Sequence, residues 1–133
     1  MSRTLESDYQ RALLARLSAE HRNVRFFRRN VGLVRMADDR LFRSGVPGQC
    51  DLYAVGRGGW HGEIEVKRYT SLSPEQMMWR DWCADWQVPW LMVQARKAES
   101  PGATVERWGK EVRAWLVERK APLATAAGGC TGR

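Results

Sequence analysis

Residues 61–67, HGEIEVK, set charged side chains against apolar ones: Glu63, Glu65 and Lys67 alternate with Ile64 and Val66. A period of two marks a strand, because successive side chains there point to opposite faces. Helix signals follow almost at once. Ser73 suits an N-cap, Pro74 the first helical position, and Gln76 completes a capping box. The helix is expected to run to about residue 87, before Pro89, with residues 90–95, WLMVQA, as the next strand. This strand–helix–strand order predicts a right-handed crossover joining two parallel strands. That unit constrains the fold more than any other part of the chain.

The strand before it is also readable. Residues 50–55, CDLYAV, precede GRGG, and a three-residue loop of Arg57, Gly58 and Gly59 would set Gly56 opposite Trp60. Counting back puts Asp51 opposite Glu65. Paired residues of an antiparallel hairpin share a face, with Cβ atoms about 5 Å apart. Glu65 and Lys67 lie roughly 7 Å apart along their strand. Asp51, Glu65 and Lys67 are therefore expected to converge.

Around this centre, residues 4–19 read as a helix with Leu5, Tyr9, Leu13 and Leu17 on one stripe. Residues 23–36 read as extended, with a turn at Asn30 and Gly32, and residues 37–49 as a polar connection. A last helix carries Val105, Trp108, Val112, Trp115 and Leu116. The expected fold is α/β, a mixed central sheet flanked by helices. A chain of 133 residues suits one domain, taken as 1–120, with an Ala/Gly-rich flexible tail over 121–133.

Two carboxylates brought together repel unless a proton or a cation intervenes. Magnesium is the natural hard cation for such a pair. It lowers the pKa of a bound water and polarises a phosphoryl oxygen, and a neighbouring lysine can orient that water. The net charge of +7, carried mostly by arginine, favours a phosphate-bearing partner. Arg28, Arg29, Arg35, Arg40 and Arg43 cluster before Asp51 and are candidates for contacts to nucleic-acid phosphates, against the alternative of a solvated basic loop. Cys50, Cys83 and Cys130 form no C-x-x-C pair, which argues against a zinc knuckle or a disulfide framework. The start of the chain lacks an apolar leader and no run of residues is apolar enough to span a bilayer, so a cytoplasmic protein with no membrane partner is expected.

The ordered set Gly48-Gln49-Cys50-Asp51, then Glu65-Val66-Lys67, then a helix with Gln76, resembles the PD-(D/E)xK nuclease superfamily and, more narrowly, its VRR-NUC family. Arg28-Arg29-Asn30-Val31-Gly32 is similar to an earlier family segment, and Glu6 matches a first-helix glutamate. The chain departs from the family in having PGQC before the aspartate and Phe26-Phe27-Arg28 in place of valine-arginine-arginine. The resemblance implies a restriction-endonuclease-like core and hydrolysis of DNA phosphodiesters with Mg2+ or Mn2+, leaving a 5′-phosphate. It implies Asp51, Glu65, Glu6 and the Val66 carbonyl as metal ligands, Lys67 as the group handling the water, Gln76 as the catalytic residue positioning a phosphate or the lysine, and Asn30 as a site-lining group toward the nucleic acid. It also implies a bacterial or phage-encoded protein, Holliday-junction-resolvase-like, acting as a homodimer on branched or double-stranded DNA.

Competing readings accompany several of these residues. Gln76 is equally explained as a cap, Glu6 as a helix-start acid, and Asn30 as a turn former. Glu63 reads as solvated, His61 as exposed and His21 as a helix-end histidine. Trp79, Trp82 and Trp86 read as core, Trp60 as a ligand contact, and the tryptophan-bearing last helix as a dimer interface. Besides a nuclease, the charge allows a basic nucleic-acid-binding module without catalysis, and a repair or restriction nuclease would share the chemistry. A glycosidase using Glu63 and Glu65 fits the basic surface poorly.

Overall fold

The computed structural model describes residues 5–29 and 32–123. Its elements are α1 (Glu6–Glu20), β1 (Val24–Arg28), β2 (Gly32–Arg35), β3 (Leu41–Ser44), β4 (Leu52–Gly56), β5 (Trp60–Lys67), α2 (Pro74–Asp85), β6 (Trp90–Gln94) and α3 (Pro101–Glu118). Asn30 and residues 124–133 lie outside the described residues.

A mixed sheet in the order β1-β4-β5-β6 forms the centre. The hairpin of β4 and β5 has the expected register, Gly56 facing Trp60 and Leu52 facing Ile64. Gly58 and Gly59 adopt φ of 84° and 91°, a region that L side chains avoid, so the tight loop depends on them. As expected from the crossover, β5 and β6 run parallel, with Glu65 beside Met92. Among the described residues β2 and β3 pair only with each other, in a separate two-stranded sheet. β3 lies within the stretch expected to be a polar connection. A turn with Asp39 at φ 69° folds it back, and Met36 N–H donates to the Arg40 carbonyl at 2.7 Å.

One face of the main sheet is apolar. Val24 and Phe26, Leu52 and Ala54, Ile64 and Val66, and Val93 project from four strands into a core completed by Leu13 and Leu17 of α1 and Trp108, Val112 and Leu116 of α3. Trp108 is fully buried, donates its indole N–H to the Gln94 carbonyl at 3.1 Å, and packs on Tyr9 with ring centroids 5.3 Å apart. Arg107 clamps the same edge, pairing with Glu99 and donating to the Gln94 carbonyl at 2.8 Å. Three residues assigned to the flexible tail pack instead: Ala121 and Leu123 border the core, and Pro122 fills the space beside Gly56.

The opposite face is polar, and α2 sits against it. Only Cys83 of α2 is buried, whereas Trp82 is 41% and Trp86 66% exposed. The expectation that these tryptophans are core is thus corrected. The sheet face beneath α2 carries charge, and a helix seated there needs little apolar surface to bury. Trp79, Trp82 and Trp86 stack on one another along the helix, with centroids 4.8 and 5.5 Å apart. Trp108 and Trp115 of α3 are core residues, so they do not form the dimer surface expected of that helix. Among the described residues no helix is long and apolar enough to cross a membrane.

The contrast between tryptophans is measurable. Trp108→Ala should destabilise the chain by about 3–5 kcal/mol in urea unfolding, while Trp86→Ala should change stability by less than about 0.5 kcal/mol. Equal losses at both positions would contradict this packing.

Candidate functional site

The polar face is built from every second residue of three strands. Cross-strand rows run Arg25–Val55–His61 and Phe27–Tyr53–Glu63. One step further, the Arg29 N–H donates to the Asp51 carbonyl at 2.7 Å, which continues the ladder to a row of Arg29, Asp51 and Glu65. Lys67 follows Glu65 on the same face.

Glu65 lies fully inside the protein, 1% exposed, and neither carboxylate oxygen has a hydrogen-bond partner among the described residues. Burial raises its pKa far above the usual carboxylate range, and the adjacent Asp51 carboxyl raises it further by repulsion and by the proton the two can share. Lys67, itself 8% exposed, pulls the other way, and Glu6 adds repulsion. Asp51 is fixed from below, its Oδ2 accepting from the Val66 N–H at 3.3 Å. Asp51, Glu65 and Lys67 are thus brought together as the register implied.

A cation fits this place. Two neighbouring carboxylates, half-buried Asp51 and Glu65 with both oxygens buried and unpartnered among the described residues, form an acceptor-only set. Among the described residues no three His, Cys, Asp or Glu side chains come together as a metal-holding group, so an ion here would need backbone and water besides the carboxylates. Glu6, implied as a third ligand, has its Oε2 accepting from the Arg68 N–H at 3.1 Å. Val66 has its side chain in the core and its N–H on Asp51. Gln76 forms the capping box, its Oε1 accepting from the Ser73 N–H at 2.8 Å while its own N–H donates to Ser73 Oγ at 3.2 Å.

Glu63 differs most from its sequence reading. It is not solvated but 1% exposed, and four donors converge on it. Arg29 grips it with both Nη atoms at 2.6 and 3.0 Å, Trp79 Nε1 donates at 3.1 Å, and His61 Nε2 lies 2.7 Å away. A carboxylate acceptor assigns the His61 proton to Nε2. His61 keeps an exposed side chain, 43% open, but is anchored. The fork of Arg29 is therefore occupied internally: it also donates to the Cys50 carbonyl at 3.1 Å and lies 4.5 Å over the Tyr53 ring. This corrects its assignment to phosphate. The sequence signal that was available is the shared face of Glu63 and Glu65, but the partner comes from 34 positions away.

Of the other basic candidates, Arg28 is exposed, Arg40 is exposed and pairs with Asp38 at 2.6 Å, and the Arg43 side chain lies outside the described set. Trp60 is not free for a ligand. Its Nε1 donates to the Arg119 carbonyl at 3.0 Å and its ring meets the edge of Trp115. A cavity of about 800 Å³ lies at this far end of β5, bordered by Trp60, His61, Pro89 and Arg119. It is remote from the carboxylates, so its size does not locate the chemistry.

The segment leading into Asp51 is held by a close approach. Gly48, at φ +90°, comes so near the start of α2 that an added Cβ would lie 2.2 Å from the Glu75 carbonyl oxygen. The loop bearing Asp51 is thereby packed against the helix bearing Gln76.

Glu65 binds its proton more tightly in the folded chain than in the unfolded one. In metal-free buffer, stability is then greatest below the unfolded pKa, about 4.3, and falls as pH rises above it. Melting curves in EDTA from pH 5 to 8 should show Tm declining by several degrees, about 3–5 °C per kcal/mol lost. Glu65→Gln should flatten that decline, and Mg2+ should raise Tm most at pH 8. A Tm that rises over this range in wild type and variant alike would refute the assignment. No protein-family model, no curated protein and no solved structure matches this chain, so the site is read from its own geometry.

Proposed function

We propose that this chain is a divalent-metal-dependent DNA nuclease of the PD-(D/E)xK kind, similar to VRR-NUC enzymes. The observation that carries the reading is the buried Glu65 carboxylate, without a donor among the described residues, beside Asp51 and with Lys67 on the same face. Asp51, Glu65 and the Val66 carbonyl would hold Mg2+ or Mn2+. When bound, such an ion supplies a polarised phosphoryl oxygen and a more acidic water. On taking up such an ion Asp51 and Glu65 would release to solvent the proton they can share, and Lys67 would orient the attacking water through its ammonium hydrogens. Glu6 braces the end of β5 through the Arg68 N–H, and Gln76 holds the start of α2 beside the site. Arg28 and Arg40 stand on exposed chain and serve as phosphate contacts. A 5′-phosphate product and a branched or duplex substrate belong to the same proposal, as does a cytoplasmic setting. So does a homodimer. Its apolar surface moves from α3 to α2, where Met78, Trp82 and Trp86 are exposed.

Cleavage of duplex, single-stranded, flapped and four-way-junction DNA, with Mg2+, Mn2+, Ca2+ or EDTA, tests the reading. Activity is expected with Mg2+ or Mn2+ alone. Asp51→Ala and Lys67→Ala should each lower the rate by about a hundredfold or more. Wild-type rates in either variant, or undiminished cleavage in EDTA, would end the proposal. A binding module without catalysis would give DNA binding and no cleavage under any condition. A sizing column distinguishes monomer from dimer separately.

A further inference from the structure

The polar face of the sheet continues past the carboxylates to an open corner that their chemistry does not use. There β1 is the outer strand, and among the described residues it pairs only with β4. Alternation places Arg25 and Phe27 of β1, Tyr53 and Val55 of β4 and His61 of β5 on this face, the same face as Glu63 and Glu65. The ladder runs one step further. The Arg57 N–H donates to the Asn23 carbonyl at 3.0 Å, and the two side chains meet on the same face, Arg57 Nε donating to Asn23 Oδ1 at 2.9 Å. α2 reaches the face at Glu63 through Trp79. It leaves the corner uncovered: Phe27 is 38% and Val55 42% exposed, and Arg25 and Arg57 are exposed as well.

Two features of the corner select a ligand. The first is a row of rings. Tyr53 stacks on Phe27 with centroids 5.1 Å apart and planes at 20°, and His61 continues the row at 6.1 Å and 29°. The first separation is close to the spacing of neighbouring strands, about 4.8 Å. The stack therefore crosses the sheet and ends at Phe27 on the outer strand. Among the described residues no ring but Tyr53 meets Phe27, which leaves its outer face open. The second feature is charge. Arg25 and Arg57 are diagonal neighbours across β1 and β4, roughly 7–8 Å apart. Among the described residues neither pairs with a carboxylate. Glu63, the nearest acid of this face, is already held by Arg29, Trp79 and His61. Two cations set this close repel, and an anion lying along them relieves the repulsion. Guanidinium forks match phosphate oxygens.

We propose that this corner of the polar face binds single-stranded DNA, an unpaired base stacking on the outer face of Phe27 and the backbone phosphates lying along Arg25 and Arg57. Duplex is disfavoured there because its bases are already stacked on one another and offer Phe27 no face. Stacking accepts any base, so the corner binds without sequence preference. The row of Phe27 and Tyr53 adjoins the row of Asp51 and Glu65, roughly 7 Å away along the strands. A strand held at the corner thus lies on the face that carries the carboxylates. If the nuclease reading holds, the preferred substrate has an unpaired segment beside the cut, as a flap or fork does. That substrate class rests on the nuclease reading; binding at the corner does not.

Binding is therefore measured by fluorescence anisotropy in EDTA, where cleavage plays no part. The probes are a labelled oligo-dT of about ten nucleotides and a duplex of equal length. Wild type should bind oligo-dT more tightly than duplex. Phe27→Leu keeps apolar bulk and removes the ring; it should weaken oligo-dT binding about tenfold and duplex binding less than about twofold. Phe27→Trp should bind as wild type does. Arg25→Ala should weaken oligo-dT binding and lower the slope of log affinity against log salt by about 0.7. Arg113→Ala removes an equal charge from the exposed side of α3, across the sheet from the corner, and should change oligo-dT binding less than about twofold. Tighter binding of duplex, wild-type oligo-dT binding by Phe27→Leu, parallel losses on both probes, or equal losses in Arg113→Ala and Arg25→Ala would each overturn the site. The expected pattern in a protein that cleaves nothing with Mg2+ would sink the nuclease reading and leave the corner standing.

Discussion

The polar half of the molecule depends on one buried ion pair. Glu63 carries a charge at a position closed to water, and burial of an unpaired carboxylate costs several kcal/mol or more. The bidentate grip of Arg29 compensates it, with Trp79 and His61 completing the acceptor sites. The pair also fixes geometry. Arg29 is attached to the Cys50 carbonyl through its side chain and to the Asp51 carbonyl through its backbone. Glu63 thus links β1, the segment leading into β4, β5 and α2 in one network. Asp51 takes its place beside Glu65 because its neighbours are held this way. Of the residues bonded to Glu63, Arg29 is the one joined to the segment bearing Asp51, through the Cys50 and Asp51 carbonyls.

Much of this was legible in the sequence, for a definite reason. The β4–β5 register follows from loop length, and two glycines at positive φ fix that length locally. Once the register is set, the shared face of Asp51, Glu65 and Lys67 follows from strand alternation. Parallel β5 and β6 follow from the crossover. What the sequence left hidden depends on long-range partners. Alternation describes a wet face and a face buried under charge equally well, so nothing local distinguishes Glu63 at a hub from Glu63 in water. Its partner Arg29 comes from another strand. Likewise, helical spacing in α2 shows a tryptophan stripe without showing which way it faces. The charged sheet beneath the helix decides that, leaving Trp82 and Trp86 outside. Trp60 looked available because its acceptor, the Arg119 carbonyl, lies 59 residues further on.

The two faces of one sheet therefore obey different rules. On the α1 and α3 side, burial of Leu52, Ile64, Val66 and Val93 provides stability in proportion to area, about 1.5–3 kcal/mol for each large side chain. On the α2 side, stability depends on pairing every charge. Glu63 is paired and adds cohesion. Glu65, one turn of alternation further along the same strand, is not, and among the described residues its carboxylate oxygens have no donor. The strand thus holds a satisfied acid and an unsatisfied acid two residues apart, in equally dry surroundings.

That difference separates structure from chemistry. A buried carboxylate without a partner must bind either a proton or a cation, because a bare charge in that environment is the costliest of the three states. Proton and cation compete for the same oxygens, so cation affinity must increase as pH rises and the proton is more easily lost. Lys67 cannot take the place of either, since its charge already acts on Glu65 and the raised pKa persists despite it. The apolar face can sustain such tension because it does not share the strained residues: Ile64 and Val66, which alternate with Glu63, Glu65 and Lys67, are fully buried on the other side. A single strand therefore supplies both the cohesion of the core and the unsatisfied charge that a cation would relieve.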